Sequence, residues 1–190
     1  MKIESENYLN EMPLSCKGNW DNVENIIKLV YGIAREKLGG GDLLTLSGGC
    51  FASLYLDGTV KDFDFFIHEG EYYKSIERAI FSGCHVLSHK KNSILLKNDP
   101  ILFELVCCKE APIETIKGFD FEHCKSFYDG VSFNIKKDII ENKHIVICDN
   151  PVDPYNSIKN SSSYRRIVKL LESGWVLKKE SPLNLIEELL

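Results

Sequence analysis

Two aspartates one residue apart, Asp62 and Asp64, stand inside the apolar run KDFDFFIH. Side chains alternate along a strand, so both carboxylates project from one face while Phe63 and Phe65 project from the other. Carboxylates that close repel one another and raise each other's pKa unless a cation lies between them. A divalent metal resolves the conflict, and hard oxygen ligands of this kind suit Mg²⁺ or Mn²⁺. The competing reading is a half-exposed strand whose acids face water.

A third acid, Glu104 in ILFELVCC, shares a strand face with Leu102 and Val106, while Ile101, Phe103 and Leu105 take the other. Both faces are apolar, so the strand reads as interior and its acid needs a partner. A metal shared with the aspartates would supply one; the competing reading is a Glu at the sheet rim or one paired with a lysine. Upstream, LSGGCFASLYL joins a short strand to a helix through Gly48-Gly49. Backbone N–H groups at such a turn can cradle phosphate oxygens, although any tight turn would use glycines. In SSSYRRIVKLLE, Arg165, Arg166 and Lys169 form a positive patch, with Arg165 and Lys169 one helical turn apart. They either clamp a triphosphate, since arginine meets phosphate with a planar fork, or face water. Tyr164 beside them stacks on a base or joins the core. The histidines at 68, 85, 89, 123 and 144 show no ligand spacing and read as structural or exposed; Lys90-Lys91 reads as ordinary surface charge.

Several elements must position these groups. Residues 21–38 place Val23, Ile26, Ile27, Val30, Tyr31 and Ala34 at helical spacing, with Asp21 as N-cap and Gly39-Gly40-Gly41 as the stop. DLLTLS is a short strand, CFASLYL a helix closed by Asp57-Gly58, and KDFDFFIH the second strand. EGEYYKSIERAIFSG is a helix expected to turn Tyr73, Ile76 and Ile80 inward. CHVLSHKKNSILLK reads as two short strands about a polar turn, and Asn98-Asp99-Pro100 turns the chain into ILFELVCC. A short helix in APIETIKG precedes CKSFYDGVSFNI, a hairpin with Asp129-Gly130 at its turn. HIVIC is one more strand. After Pro151 and Pro154 the character changes to two helices, SSSYRRIVKLLESGW and SPLNLIEELL, each preceded by serine caps. The expected fold class is α+β, a mixed β-sheet flanked by helices, with one domain over residues 1–150 and a short helical C-terminal extension over 151–190 packed on it.

Bulk properties restrict the function. With 44% hydrophobic residues, the 190-residue chain can bury a sizeable core. A net charge of −5 argues against a protein that coats nucleic acid, though it leaves room for a local basic groove. No apolar run approaches the roughly 18–20 residues needed to span a bilayer. The first twenty residues lack the apolar core of a signal peptide, so the expectation is a cytoplasmic protein with no membrane partner. Seven cysteines without CxxC or zinc-ligand spacing read as reduced, mostly buried small hydrophobes.

Taken together, LSGGCFASLYLDGTVKDFDFFI resembles the signature of the polymerase β-like nucleotidyltransferase superfamily: strand, Gly-Gly, helix, then two aspartates alternating with apolar residues on the next strand. Within it the chain is most similar to the head domains of tRNA CCA-adding enzymes and bacterial poly(A) polymerases, and to small phage-type nucleotidyltransferase-like proteins. GFDFEHCKSFYDG is similar to the RDFTINALAYD element of that group, and SSSYRRIVKLLESGW to the helix that follows it. The resemblance covers roughly residues 43–175. It implies a nucleotidyltransferase-like catalytic domain over 1–150, with Asp62, Asp64 and Glu104 as metal ligands and catalytic residues for Mg²⁺ or Mn²⁺. It further implies Ser47, Gly48, Gly49, Asp120 and Arg165 as nucleotide-binding residues. The implied reaction moves a nucleoside monophosphate from a nucleoside triphosphate, ATP or CTP, to a hydroxyl of an RNA 3′ end, a small molecule or a protein, releasing pyrophosphate. The chain departs from the group in two places: CFASLYL lacks an Arg-Asp pair, and Gly118 stands where the arginine of RDF would be. The acidic charge and the lack of a long C-terminal counterpart to grip tRNA favour a small or protein acceptor. Two other classes stay open: a catalytically inactive nucleotide-binding or protein-interaction module on the same fold, and a glycosyltransferase, whose paired aspartates also bind a metal and a nucleotide diphosphate.

Overall fold

The computed structural model describes residues 16–39, 44–148 and 162–178. Helix α1 (Trp20–Leu38) buries the expected stripe of Val23, Ile26, Ile27, Val30, Tyr31 and Ala34. Its cap is Asn19 rather than Asp21, because the Asn19 side chain accepts the Asn22 N–H at 3.1 Å. Asp21 falls within the first turn, where its charge complements the helix dipole. After it come β1 (Thr45–Ser47), α2 (Cys50–Leu56), β2 (Phe63–His68) and α3 (Glu69–Phe81). The chain continues through β3 (His85–His89), β4 (Ser93–Asn98), β5 (Ile101–Cys108) and α4 (Pro112–Lys117). A 3₁₀ turn (Glu122–Lys125), β6 (Phe127–Tyr128), β7 (Phe133–Asn134), α5 (Lys137–Glu141) and β8 (His144–Ile145) follow, and then α6 (Ser162–Glu172) and β9 (Val176–Leu177).

Seven strands form a mixed sheet in the order β3-β4-β5-β2-β1-β6-β7. Only the central β2–β5 pair is parallel; its neighbours are antiparallel. The Asn98-to-Pro100 turn and the Asp129-Gly130 hairpin sit where the sequence puts them. Asp129 accepts the N–H groups of Val131 and Ser132 at 2.8 and 2.7 Å, locking the second turn. β8 and β9 make a separate parallel pair, so the chain beyond residue 150 is tied by backbone bonds to the strand before it. Residues 181–190, read as a second C-terminal helix, and the Pro151/Pro154 segment lie outside the described residues.

On one face of β2 and β5 lie Phe65, Ile67, Phe103 and Leu105, all fully buried. The rings of Phe65 and Phe103 meet edge-to-face at 5.6 Å, and Tyr31 of α1 leans on Phe65 at 6.1 Å. Burying each ring contributes roughly 1.5–3 kcal/mol. Helix α3 packs on this sheet and on α1, but through Tyr72, Ser75 and Ala79. The expected inward residues Tyr73 and Ile80 are 71% and 51% exposed; of the three, only Ile76 packs on the core. Small residues let the helix axis approach the strands closely, which a stripe of Tyr and Ile would prevent. All seven cysteines are free thiols, and Cys16, Cys50, Cys84 and Cys108 are buried. Among the described residues, no helix is long and apolar enough to cross a membrane.

Candidate active site

The opposite face of β2 and β5 carries the acids. Asp62 immediately precedes β2, Asp64 is its second residue, and the parallel register sets Asp64 directly beside Glu104. One oxygen from each of the three carboxylates lies within 4.8 Å of the other two. On the far side of β2, Asp64 pairs with Ser47 of β1, the residue before the diglycine turn. Gly48 sits at φ +100°, and a Cβ there would come within 2.9 Å of Asp64 Oδ2. The position therefore demands glycine twice over, for its backbone conformation and for the carboxylate lying against it.

Three negative groups in a half-buried site cannot all ionise freely. Burial, with Asp62 and Glu104 adding repulsion, lifts the Asp64 carboxyl from 3.8 to about 7. Lys90 and Arg166 pull in the other direction without cancelling that rise. Glu104 behaves differently. Burial opposes its charge, but hydrogen bonds from Ser93 and Lys90 outweigh it and hold the carboxyl below its ordinary value. The Ser93 hydroxyl donates to Glu104 Oε1 at 2.6 Å, and Lys90 Nζ reaches the same oxygen at 2.9 Å. The lysine-paired alternative for Glu104 thus holds together with its place in the acid cluster.

These acids line one wall of a cavity of about 710 Å³, with Gly48 and Gly49 beside them. Lys143 and, from α6, Arg166 and Lys169 supply positive charge to the lining, and Trp175 an aromatic surface. A volume of this order suits one bound small molecule. Asp120 lines the cavity and faces Arg166 at 3.6 Å. Arg165 does not line it; both adjacent arginines of α6 are exposed, and Arg166 is the one that reaches the cavity wall. Ser47 is also displaced from its expected role. Its hydroxyl is fully buried and donates to the carbonyls of Ser126 at 2.8 Å and Cys124 at 3.2 Å, bracing β1 against the 3₁₀ turn. The side chain of Tyr164 lies outside the described residues.

Sequence reasoning read His123 as structural or exposed and Lys90 as surface charge, and did not single out Ser93. His123 is 5% exposed and lies against the rings of Phe121 and Trp175. Burial pushes its pKa down to about 4, so the imidazole is neutral at pH 7. Ser93 could have been found from the turn at residues 98–101: pairing Asn98 with Ile101 fixes Leu95 opposite Glu104, and alternation puts Ser93 on the same face.

The donor set fits Mg²⁺ or Mn²⁺. It is all oxygen from three carboxyl groups, one of which is held back from ionisation by burial and by its neighbours' charge, and glycine keeps space open against it.

This seven-stranded mixed sheet with helices is the polymerase β-like nucleotidyltransferase fold. The CCA-adding enzyme of Thermotoga maritima complexed with tRNA superposes with a TM-score of 0.57 at 14% identity, over 80% of this chain and 40% of that one. A tRNA-processing enzyme in an apo form gives 0.55 at 20% identity, over 85% of this chain and 45% of the other. A tRNA nucleotidyltransferase complexed with a primer tRNA and an incoming ATP analogue gives 0.53 at 18% identity, over 73% and 44%. The chain thus spans less than half the length of these enzymes, and the likeness is one of fold. No curated protein matches it by sequence. The chain belongs to the Gabija anti-defense 2 family, whose model matches residues 22–144.

Proposed function

We propose that the protein transfers a nucleoside monophosphate from a nucleoside triphosphate to an acceptor hydroxyl and releases pyrophosphate. The observation that carries this reading is the convergence of Asp62, Asp64 and Glu104 beside Gly48, where Asp64 leaves no room for a Cβ. Asp62, Asp64 and Glu104 would hold Mg²⁺ or Mn²⁺, which when bound supplies the positive charge that in-line displacement at an α-phosphate requires. The residues of the chain then divide the work. Gly48 and Gly49 offer backbone N–H groups to phosphate oxygens, while Arg166 and Lys169 balance polyphosphate charge from the cavity lining. Asp120 restrains Arg166. Asp64 must give up its proton for the cluster to act, and a bound cation would favour that loss.

ATP and CTP are the donors to try first, since structures with this fold hold CTP and an ATP analogue. The family's description as Gabija anti-defense supports an acceptor within that defence system, protein or nucleic acid. The experiment incubates the protein with Mg²⁺ or Mn²⁺, each α-labelled nucleoside triphosphate, and pools of RNA and Gabija proteins. Label transfer that disappears in Asp62→Ala/Asp64→Ala supports the proposal. Absence of transfer from every donor by folded protein contradicts it.

A second reading has its own support. Helix α2 carries no Arg-Asp pair, and Glu104 already has a lysine partner at 2.9 Å. On that reading the protein is a catalytically inactive nucleotide-binding or protein-interaction module, and Asp62→Ala/Asp64→Ala leaves its partner binding intact.

A further inference from the structure

We propose that Ser93 is a positioning residue for Glu104, setting the affinity of the carboxylate cluster for a divalent cation without touching the cation. The inference rests on the metal-binding reading above.

Ser93 opens β4, on the same sheet face as Glu104, and is 8% exposed. Its hydroxyl has one proton to give, and that proton goes to Glu104 Oε1 at 2.6 Å. Lys90, from the turn just before β4, reaches the same oxygen at 2.9 Å. The two donors differ in rigidity. Lys90 is a long side chain, 66% exposed, whereas Ser93 is short and enclosed within the sheet. Ser93 is therefore the donor that fixes the rotation of the carboxylate. With one oxygen committed to these donors, the other is left for a cation shared with Asp62 and Asp64. Glu104 belongs to a flexible residue type, and a ligand that must be ordered on binding loses affinity. Hydrogen bonds of this kind to a metal-ligating group change metal affinity by about 10–100-fold when removed.

The test measures Mn²⁺ affinity of the full chain at pH 8, by electron paramagnetic resonance of free Mn²⁺ and by calorimetry, without nucleotide or acceptor. Ser93→Ala is expected to raise the Kd about tenfold, with circular dichroism unchanged. Ser93→Thr, which restores the hydroxyl, should return the Kd to within about threefold of the original. Ser93→Cys, close in volume but a weak donor, should behave as Ser93→Ala and covers the case in which the alanine variant does not fold. An unchanged Kd in Ser93→Ala or Ser93→Cys, while Asp64→Asn loses Mn²⁺, overturns the role of Ser93 and leaves the metal site standing. No Mn²⁺ binding by the unmodified protein overturns the metal reading and this inference together.

Discussion

The two faces of the β2–β5 pair differ by a single step along the chain. One row joins Phe63 to Phe103 and the next joins Asp64 to Glu104; the row after that returns to Phe65 and Leu105. The odd rows point into the principal core, and the even row points into the cavity. Parallel central strands are usually apolar on both faces. Here the apolar face anchors the strands so firmly that the other can carry three carboxylates in poor solvation. Stability and chemistry are built from the same two strands, on opposite sides.

That contrast can be broken from either side. Asp62→Asn/Asp64→Asn should lower nucleotidyl transfer roughly a thousandfold or more, since several kcal/mol of charge stabilisation depends on the metal site. The same variant should fold normally, as checked by α-label transfer beside thermal unfolding. Phe65→Ala acts on the other face and should lower stability by about 3–5 kcal/mol in urea titration, because its ring is fully enclosed.

A pH series sharpens the comparison further. The Asp64 carboxyl titrates at about 7 when folded and near 3.8 when unfolded, so the folded state binds the extra proton between those values. Its contribution to stability is complete below pH 3.8 and is lost as pH rises through 7, up to about 4 kcal/mol without metal. Asp64→Asn should flatten this part of the profile, and Mn²⁺ should restore stability at pH 8. A smaller effect is expected from Lys90→Met. Lys90 lowers the Asp64 pKa, so its removal should move that titration further above 7, as followed by carboxyl NMR.

Much of this arrangement was legible in the sequence because strand alternation and turn residues carry it. Asp64 and Glu104 could be placed on strand faces from their apolar neighbours alone, Asp62 falls just before the strand expected to hold it, and Gly48 marked the turn between β1 and α2. The failures have physical causes. Tyr73 and Ile80 looked like an inward stripe, but α3 packs through Ser75 and Ala79, because helix-to-sheet distance depends on residue size as well as hydrophobicity. Arg165 and Arg166 are adjacent on a helix, and periodicity within α6 does not say which direction meets the cavity. Ser47 looked available to phosphate, yet the carbonyls of Cys124 and Ser126 engage its hydroxyl from 77 and 79 positions away. Lys90 reads as surface charge in any linear view, since its contact with Glu104 depends on how the β3–β4 turn lies over β5.

The central claim is that the three carboxylates share a cation. Anomalous scattering from crystals grown with Mn²⁺ and a non-hydrolysable nucleoside triphosphate tests it most directly. The account requires a manganese peak bounded by Asp62, Asp64 and Glu104, with the triphosphate reaching toward Gly48 and Gly49. Manganese bound elsewhere, with no density among those three carboxylates, would contradict it.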